Sequence, residues 1–240
     1  MPLPKIDVPI YELTLPLSKK KIKYRPFLVK EQRNLLMAME SSDTDTIHNS
    51  IRHILNNCTL TENIDIDKLP IIDIEYYFIN LRAKSVSEIV DTKYRCNNEV
   101  NDKPCGNVMD VQINLSDINV EGVKDNEDIQ LTNKLIIKMK YPEFYIVKDS
   151  VNIESMTQIT FNMIAESIEY IFDGEQFYYA NEAQPGEMLE FVESLSQTQF
   201  EKLEEFFNDL PKLKKDVNIK CNKCGFDHHI EVEGLESFFV

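Results

Sequence analysis

Apolar residues recur along this chain with two periods, and the stretches where each period holds predict its elements. Ile47, Ile51, Ile54, Leu55 and Cys58 fall at helical spacing behind the capping candidates Ser42 and Asp43. Leu69 to Arg82 is apolar almost throughout, with Pro70 where a first helical turn tolerates it, so a helix buried on most sides is expected. From Ile89 to Leu115 the pattern turns to strands broken by a cysteine-bearing loop, and Leu131 to Tyr141 reads as another strand that Pro142 ends. Met156, Ile159, Met163, Ile164, Ile168 and Ile171 share one helix face. Asp173-Gly174 then signals a turn and Glu175 to Ala180 a short strand. A second helical stretch runs from near Pro185 to Leu210, bent near Ser196, where Ser196 and Gln199 offer a capping box. Its stripe of Phe191, Leu195, Phe200, Leu203, Phe206 and Phe207 reads as core.

The opening is different. Pro2, Pro4, Pro9 and Pro16 punctuate Met1 to Leu28, and proline has no amide hydrogen to donate, so an extended arm with an edge strand is expected. If Ser18 to Phe27 is a strand, Lys19, Lys21, Lys23 and Arg25 share one face, either to protect an edge or to meet an acidic neighbour.

Charge narrows the partners. Lys plus Arg is 26 and Asp plus Glu is 41, a net charge of −15, which works against nucleic acid as a ligand. The excess is concentrated: Val151 to Leu210 carries thirteen acidic residues against one basic residue, Lys202. A 42% hydrophobic content supplies a core, and no apolar run approaches the roughly 18 residues of a membrane helix. The sequence shows no export leader, so a soluble, unexported protein is expected.

Four of five cysteines form two similar pairs. Cys96 and Cys105 stand in Tyr94-Arg-Cys-Asn-Asn-Glu-Val-Asn-Asp-Lys-Pro-Cys-Gly-Asn, and Cys221 and Cys224 in Lys220-Cys-Asn-Lys-Cys-Gly-Phe. Each pair ends in Cys-Gly, at Gly106 and Gly225, where a metal knuckle needs positive φ. Together they supply the four sulfurs of a closed tetrahedral zinc site. The first pair departs from knuckle spacing, with eight intervening residues. An iron–sulfur cluster would use the same thiolates, and His228 or His229 stands near enough in sequence to replace Cys96 or Cys105. Cys58 lies on an apolar stripe and reads as a buried thiol.

Catalytic patterns are missing: the sequence has no HExxH, GxSxG, GxGxxG or phosphate-cradling loop, and only six glycines. Neither an enzyme nor a small-molecule substrate is expected. Lys212, Lys214, Lys215, Lys220 and Lys223 form a basic patch around the second knuckle, which keeps a zinc-ribbon nucleic-acid-binding accessory factor as the alternative.

Phe200-Glu-Lys-Leu-Glu-Glu-Phe-Phe-Asn-Asp-Leu-Pro-Lys-Leu, followed by Cys221-Asn-Lys-Cys-Gly and Ile230-Glu-Val-Glu-Gly-Leu-Glu-Ser-Phe-Phe, resembles the baseplate hub proteins of T-even-like contractile-tailed bacteriophages. Pro2-Leu-Pro-Lys and Tyr24-Arg-Pro-Phe-Leu-Val-Lys-Glu-Gln look similar to the start of that family. The resemblance implies a noncatalytic hub component or hub-assembly factor, located in the virion tail baseplate or in host cytoplasm during assembly. Its partners would be other baseplate or tail proteins, with no membrane involved. Lys19, Lys21, Lys23, Arg25, Phe206, Phe207, Phe238 and Phe239 are the candidate partner contacts, and Cys96, Cys105, Cys221 and Cys224 the candidate zinc ligands. The expected fold is α+β: a mainly helical body with a small four-cysteine zinc-ribbon-like β module and an extended N-terminal arm. In chain order it comprises an arm and edge strand (1–28), a helical block (29–90) and the first ribbon half (91–116). A linker and strand (117–150), the acidic helical segment (151–211), and the second ribbon half with the C-terminal tail (212–240) follow.

Overall fold

The computed structural model describes residues 7–41, 43–124, 128–144 and 156–233. It opens on a hairpin of β1 (Tyr11–Thr14) and β2 (Lys21–Tyr24), with Tyr11 opposite Tyr24 and Thr14 opposite Lys21. Strand alternation turns Ile22 and Tyr24 inward and Lys21 and Lys23 outward. The hairpin's turn is tied down from afar. The fully buried carboxylate of Asp73 accepts the amides of Leu17 and Ser18 at 2.7 and 2.8 Å.

Two helices follow, α1 (Val29–Ser41) and α2 (Thr44–Cys58). Asp43 caps α2 by accepting the Thr46 amide at 3.0 Å, and Ile51, Ile54, Leu55 and Cys58 pack beneath the hairpin. The next helix, α3 (Ile71–Ser85), is apolar on two sides because it serves two cores. Ile74, Tyr77, Phe78 and Leu81 join the first core, while Ile79 and Ala83 face a second. Each buried Ile, Leu or Phe side chain contributes about 1.5–3 kcal/mol by leaving water.

The second core lies under two long hairpins. One pairs β3 (Ile89–Arg95) with β6 (Val108–Asn114), its connecting loop folded into β4 (Glu99–Val100) and β5 (Lys103–Pro104). The other pairs β12 (Lys212–Lys220) with β13 (Asp227–Glu233), and β7 (Asn119–Glu121) adds to β12 as a third strand. Val90, Val111, Ile113, Leu213 and Val232 share this core with Ile79.

A third core belongs to the acidic segment, where Ile168 and Ile171, expected on a helix face, lie on a strand because the helix ends at Glu166. Its antiparallel sheet runs in the order β11 (Phe177–Tyr179), β10 (Ile168–Phe172), β9 (Ile136–Met139), β8 (Ile129–Gln130). Helices α4 (Met156–Glu166), α5 (Glu187–Glu193) and α6 (Gln197–Asn208) supply the rest of that core. Gln199 Oε1 accepts the Ser196 amide at 2.9 Å, so the capping box starts a new helix and the expected bent stretch is two helices.

The expected fold class needs correction in three respects. First, the body is not mainly helical: six α-helices and thirteen strands occur among the described residues. Second, no N-terminal arm extends from the described part, because Leu15 and Ile22 are fully buried and Tyr24 and Phe27 nearly so. Proline governs where the hairpin turns; it does not keep the segment out of the core. Third, the cysteine hairpins do not form a small separate ribbon. Their strands are long and sit on α3, so cysteines and core share one structure. Within the polar stretch expected as a linker, Asn119–Glu121 is strand. No helix among the described residues is long and apolar enough to cross a membrane.

Candidate metal centre

The two cysteine loops are built on the same backbone plan. In the first, the Cys96 amide donates to the Asn107 carbonyl at 2.7 Å, and the Gly106 amide returns to the Cys96 carbonyl at 3.2 Å. In the second, the Cys221 amide donates to the Phe226 carbonyl at 2.8 Å, and the Gly225 amide returns to the Cys221 carbonyl at 2.9 Å. Both glycines hold positive φ, 62° at Gly106 and 76° at Gly225, which a Cβ would strain. The eight-residue spacing of the first pair has a local cause. Asn101 and Asp102 both adopt positive φ in a tight turn that folds β4 onto β5, so the extra residues loop out and the two cysteines meet at the hairpin's base.

The hairpins bring Cys96, Cys105, Cys221 and Cys224 together, with all four sulfurs within 4.8 Å of one another. Cys96 Sγ lies 3.7 Å from Cys224 Sγ, and Cys105 Sγ 3.9 Å from Cys221 Sγ. A disulfide needs about 2.05 Å, so these are free thiols. Four sulfurs around a tetrahedral zinc, each at about 2.3 Å, stand about 3.8 Å apart. The donor set and its spacing fit that ion. Cys96, Cys105 and Cys221 are buried and Cys224 is half-buried.

Hydrogen-bond donors surround the sulfurs. Asn98 Nδ2 donates to Cys224 Sγ and Asn107 Nδ2 to Cys221 Sγ, both at 3.6 Å. His228 Nε2 lies 3.1 Å from Cys96 Sγ, held between Tyr94 and Phe226. Lys223 Nζ reaches the Cys105 carbonyl at 3.1 Å. The Cys221 thiol is drawn down from its ordinary 9.0 to about 6, chiefly by the amide of Cys224 and then, against burial, by that of Lys223. Cys224 is also lowered, first by the amide of Phe226. Burial pushes Cys96 the other way, up to about 12, and its thiol neighbours add to that. Cys221 and Cys224 thus favour thiolate while Cys96 holds a proton. A divalent cation removes the conflict, since it favours thiolate at all four positions.

Sequence reasoning did not identify Asn98 and Asn107 as sulfur donors. The signal was available: each stands two residues after a cysteine of the first pair. The neighbouring histidines diverge as alternation requires. His228 faces the sulfurs; His229 is exposed and bonds Asn218 Oδ1 at 2.8 Å. His229, Asp216 and Glu231 form a second ligand-type group, but Lys214 Nζ already sits among the carboxylates, 2.9 Å from Glu231 and 3.7 Å from Asp216.

The expected partner contacts are dispersed. Lys19, at positive φ, donates to the Pro16 carbonyl, and Lys21 is exposed. Lys23 pairs with Glu12 at 3.2 Å, and Arg25 turns inward to the buried Glu31, also at 3.2 Å. Phe206 and Phe207 are half-buried and pack on the third core, Phe206 stacking with Tyr141 at 6.0 Å. Phe238 and Phe239 lie outside the described residues. The basic patch is largely neutralised: Lys212 meets Glu233, Lys214 Glu231, Lys215 Asp117 and Lys220 Asp227, at 2.9–3.8 Å.

The family described as T4 bacteriophage base plate protein matches residues 8–240 of the chain. The baseplate hub assembly protein gp26 of Enterobacteria phage T4 is 22% identical over 231 residues, 95% of this chain and 97% of that protein. No solved structure matches the chain.

Proposed function

Since the chain belongs to the T4 bacteriophage base plate protein family, we propose that it is a noncatalytic component of the tail baseplate hub or of its assembly, acting through contacts with other baseplate proteins. The observation that carries this reading is a likeness spanning nearly the whole chain, both in the family match and in the hub-assembly relative. Its place of action is the virion tail baseplate.

The frame for those contacts is closed by one structural zinc ion, which Cys96, Cys105, Cys221 and Cys224 would hold. When bound, the ion supplies a tetrahedral cross-link and no open position for substrate. What supports it is the sulfur spacing and the N–H donors aimed at the sulfurs. The link would tie residue 96 to residue 224 across the entire acidic segment. The nucleic-acid alternative loses its main support, because most lysines of the basic patch already face carboxylates.

A phage deleted for this protein tests the role. Sedimentation and quantitative mass spectrometry of infected-cell extracts should show hub intermediates lost and complete baseplates missing, with recovery when the protein is supplied. Normal baseplates without it would refute the role. Elemental analysis of the purified chain should give one zinc per protein, and retention on DNA should be negligible at physiological salt.

A further inference from the structure

The sheet of the acidic segment has one face on the third core and one turned away from it, where Tyr170 and Phe172 are half-buried and the β11 rings exposed. Ile168 and Ile171 point into the third core and are buried. On the opposite face Tyr170 and Phe172 of β10 stand across from Tyr179 and Phe177 of β11. Their rings touch as a group: Phe172–Phe177 at 4.6 Å, Tyr170–Phe177 at 5.2 Å and Tyr170–Tyr179 at 5.9 Å. Phe177 is 51% exposed and Tyr179 44%. This aromatic face continues to an open edge, because β11 is the last strand of the sheet among the described residues.

The edge is aimed outward. The Ala180 amide bonds the Glu169 carbonyl at 2.9 Å and the Asp173 amide the Gln176 carbonyl at 3.3 Å. In an antiparallel ladder these pairs alternate, so Phe177 directs its N–H and C=O, and Tyr179 its N–H, away from β10, while the Tyr179 carbonyl accepts the Glu182 amide at 3.0 Å. The hairpin is also held rigid. Asp173 Oδ1 accepts the amides of Glu175 and Gln176, both at 2.9 Å, Gly174 turns at φ 95°, and Tyr178 donates to Asp173 Oδ2 at 2.8 Å. No proline, lysine or bulge blunts β11, although natural edges usually carry such protection.

We propose that β11 receives an extended, lysine- or arginine-bearing segment of another baseplate protein as an added strand, whose side chains cover the four rings. Charge selects that occupant. Ile168 to Glu193 carries seven acidic residues and no basic one, and Glu169, Glu175 and Glu182 are exposed; Lys138 of β9, across from Tyr170, is already paired with Asp128 at 3.4 Å. Aromatic faces attract cations and carboxylates pair with them. A second copy placed edge to edge would bring these carboxylates against their own kind. Main-chain bonds to β11 would supply affinity, and alternate cationic side chains the specificity. The inference rests on the baseplate reading above.

The test uses the full chain added to extract from cells infected with phage lacking this protein. Tyr179→Pro removes an outward N–H together with one of the four rings, so it blocks strand addition without breaking a β10–β11 bond. The double variant Phe177→Ser, Tyr179→Ser removes two rings. Both should keep the wild-type metal content, and baseplates formed should fall at least tenfold, with Ile10→Ser as an unaffected control. A photo-crosslinker at position 177 should capture a peptide of net positive charge. If Tyr179→Pro lowers the melting temperature, the double variant decides. Wild-type yields from the double variant, a neutral or acidic crosslinked peptide, or a homodimer of the isolated chain that it abolishes would each overturn the proposal with the baseplate role intact. Failure of the wild-type chain to restore baseplates would remove the role and the proposal together.

Discussion

The two cysteine hairpins differ in spacing and agree in geometry. Cys221 and Cys224 sit two residues apart, whereas Cys96 and Cys105 are separated by eight, yet each first cysteine makes the same pair of backbone bonds. The lesson is that a knuckle is defined by its closing hydrogen bonds and its glycine, and that spacing is only one way to achieve them. Where extra residues fold back on themselves, as Glu99–Val100 do on Lys103–Pro104, the sulfurs do not register the insertion.

The largest effect should come from removing either pair of thiols. Cys96→Ser with Cys105→Ser, and Cys221→Ser with Cys224→Ser, should each abolish zinc binding. Each should lower the melting temperature by about 10 °C or more, given about 2–4 °C per kcal/mol for a chain of this size. Metal retained after loss of the first pair would break the equivalence. Next come the glycines. Gly106→Ala and Gly225→Ala should each cost about 1–2 kcal/mol in denaturant unfolding, since both hold left-handed backbone. Unequal costs would show that one knuckle is the real anchor.

Asn101→Val separates the hairpins. It places a β-branched residue at φ 53°, a turn the second knuckle lacks, and should cost about 1 kcal/mol while leaving the zinc stoichiometry at one. The smallest effect is electrostatic. In chelated protein the depressed Cys221 contributes stability that is complete above about pH 9 and lost as pH falls through about 6. The raised Cys96 does the reverse, its contribution present below about 9 and lost as pH rises through about 12. Alkylation at pH 7.5, read by peptide mass, should therefore label Cys221 and Cys224 before Cys96, and zinc should protect all four cysteines.

Much of the centre was legible because its chemistry is local. The four cysteines and the two Cys-Gly steps lie in short contiguous stretches, whereas the turn at Asn101-Asp102 that absorbs the longer spacing was not expected. The fold class was not legible, for a non-local reason. Pro9 and Pro16 suggest an arm, but what folds the segment is Asp73, more than fifty residues away, taking the amides of Leu17 and Ser18. Strand content was underestimated because β4, β5, β7 and β8 are two or three residues long, too short for alternation to register, and because Ile168 and Ile171 of β10 match helical spacing. The aromatic face escaped notice because Ile171 and Tyr170 are both apolar in sequence, and only the sheet tells which one is covered.

The central claim is that one cation joins the early chain to the late chain. Hydrogen exchange during zinc titration of chelated protein tests it most directly, read at the amides of Gly106 and Gly225. Both should gain protection together and saturate at one zinc per chain. Protection at Gly225 alone, or saturation at two ions, would contradict it.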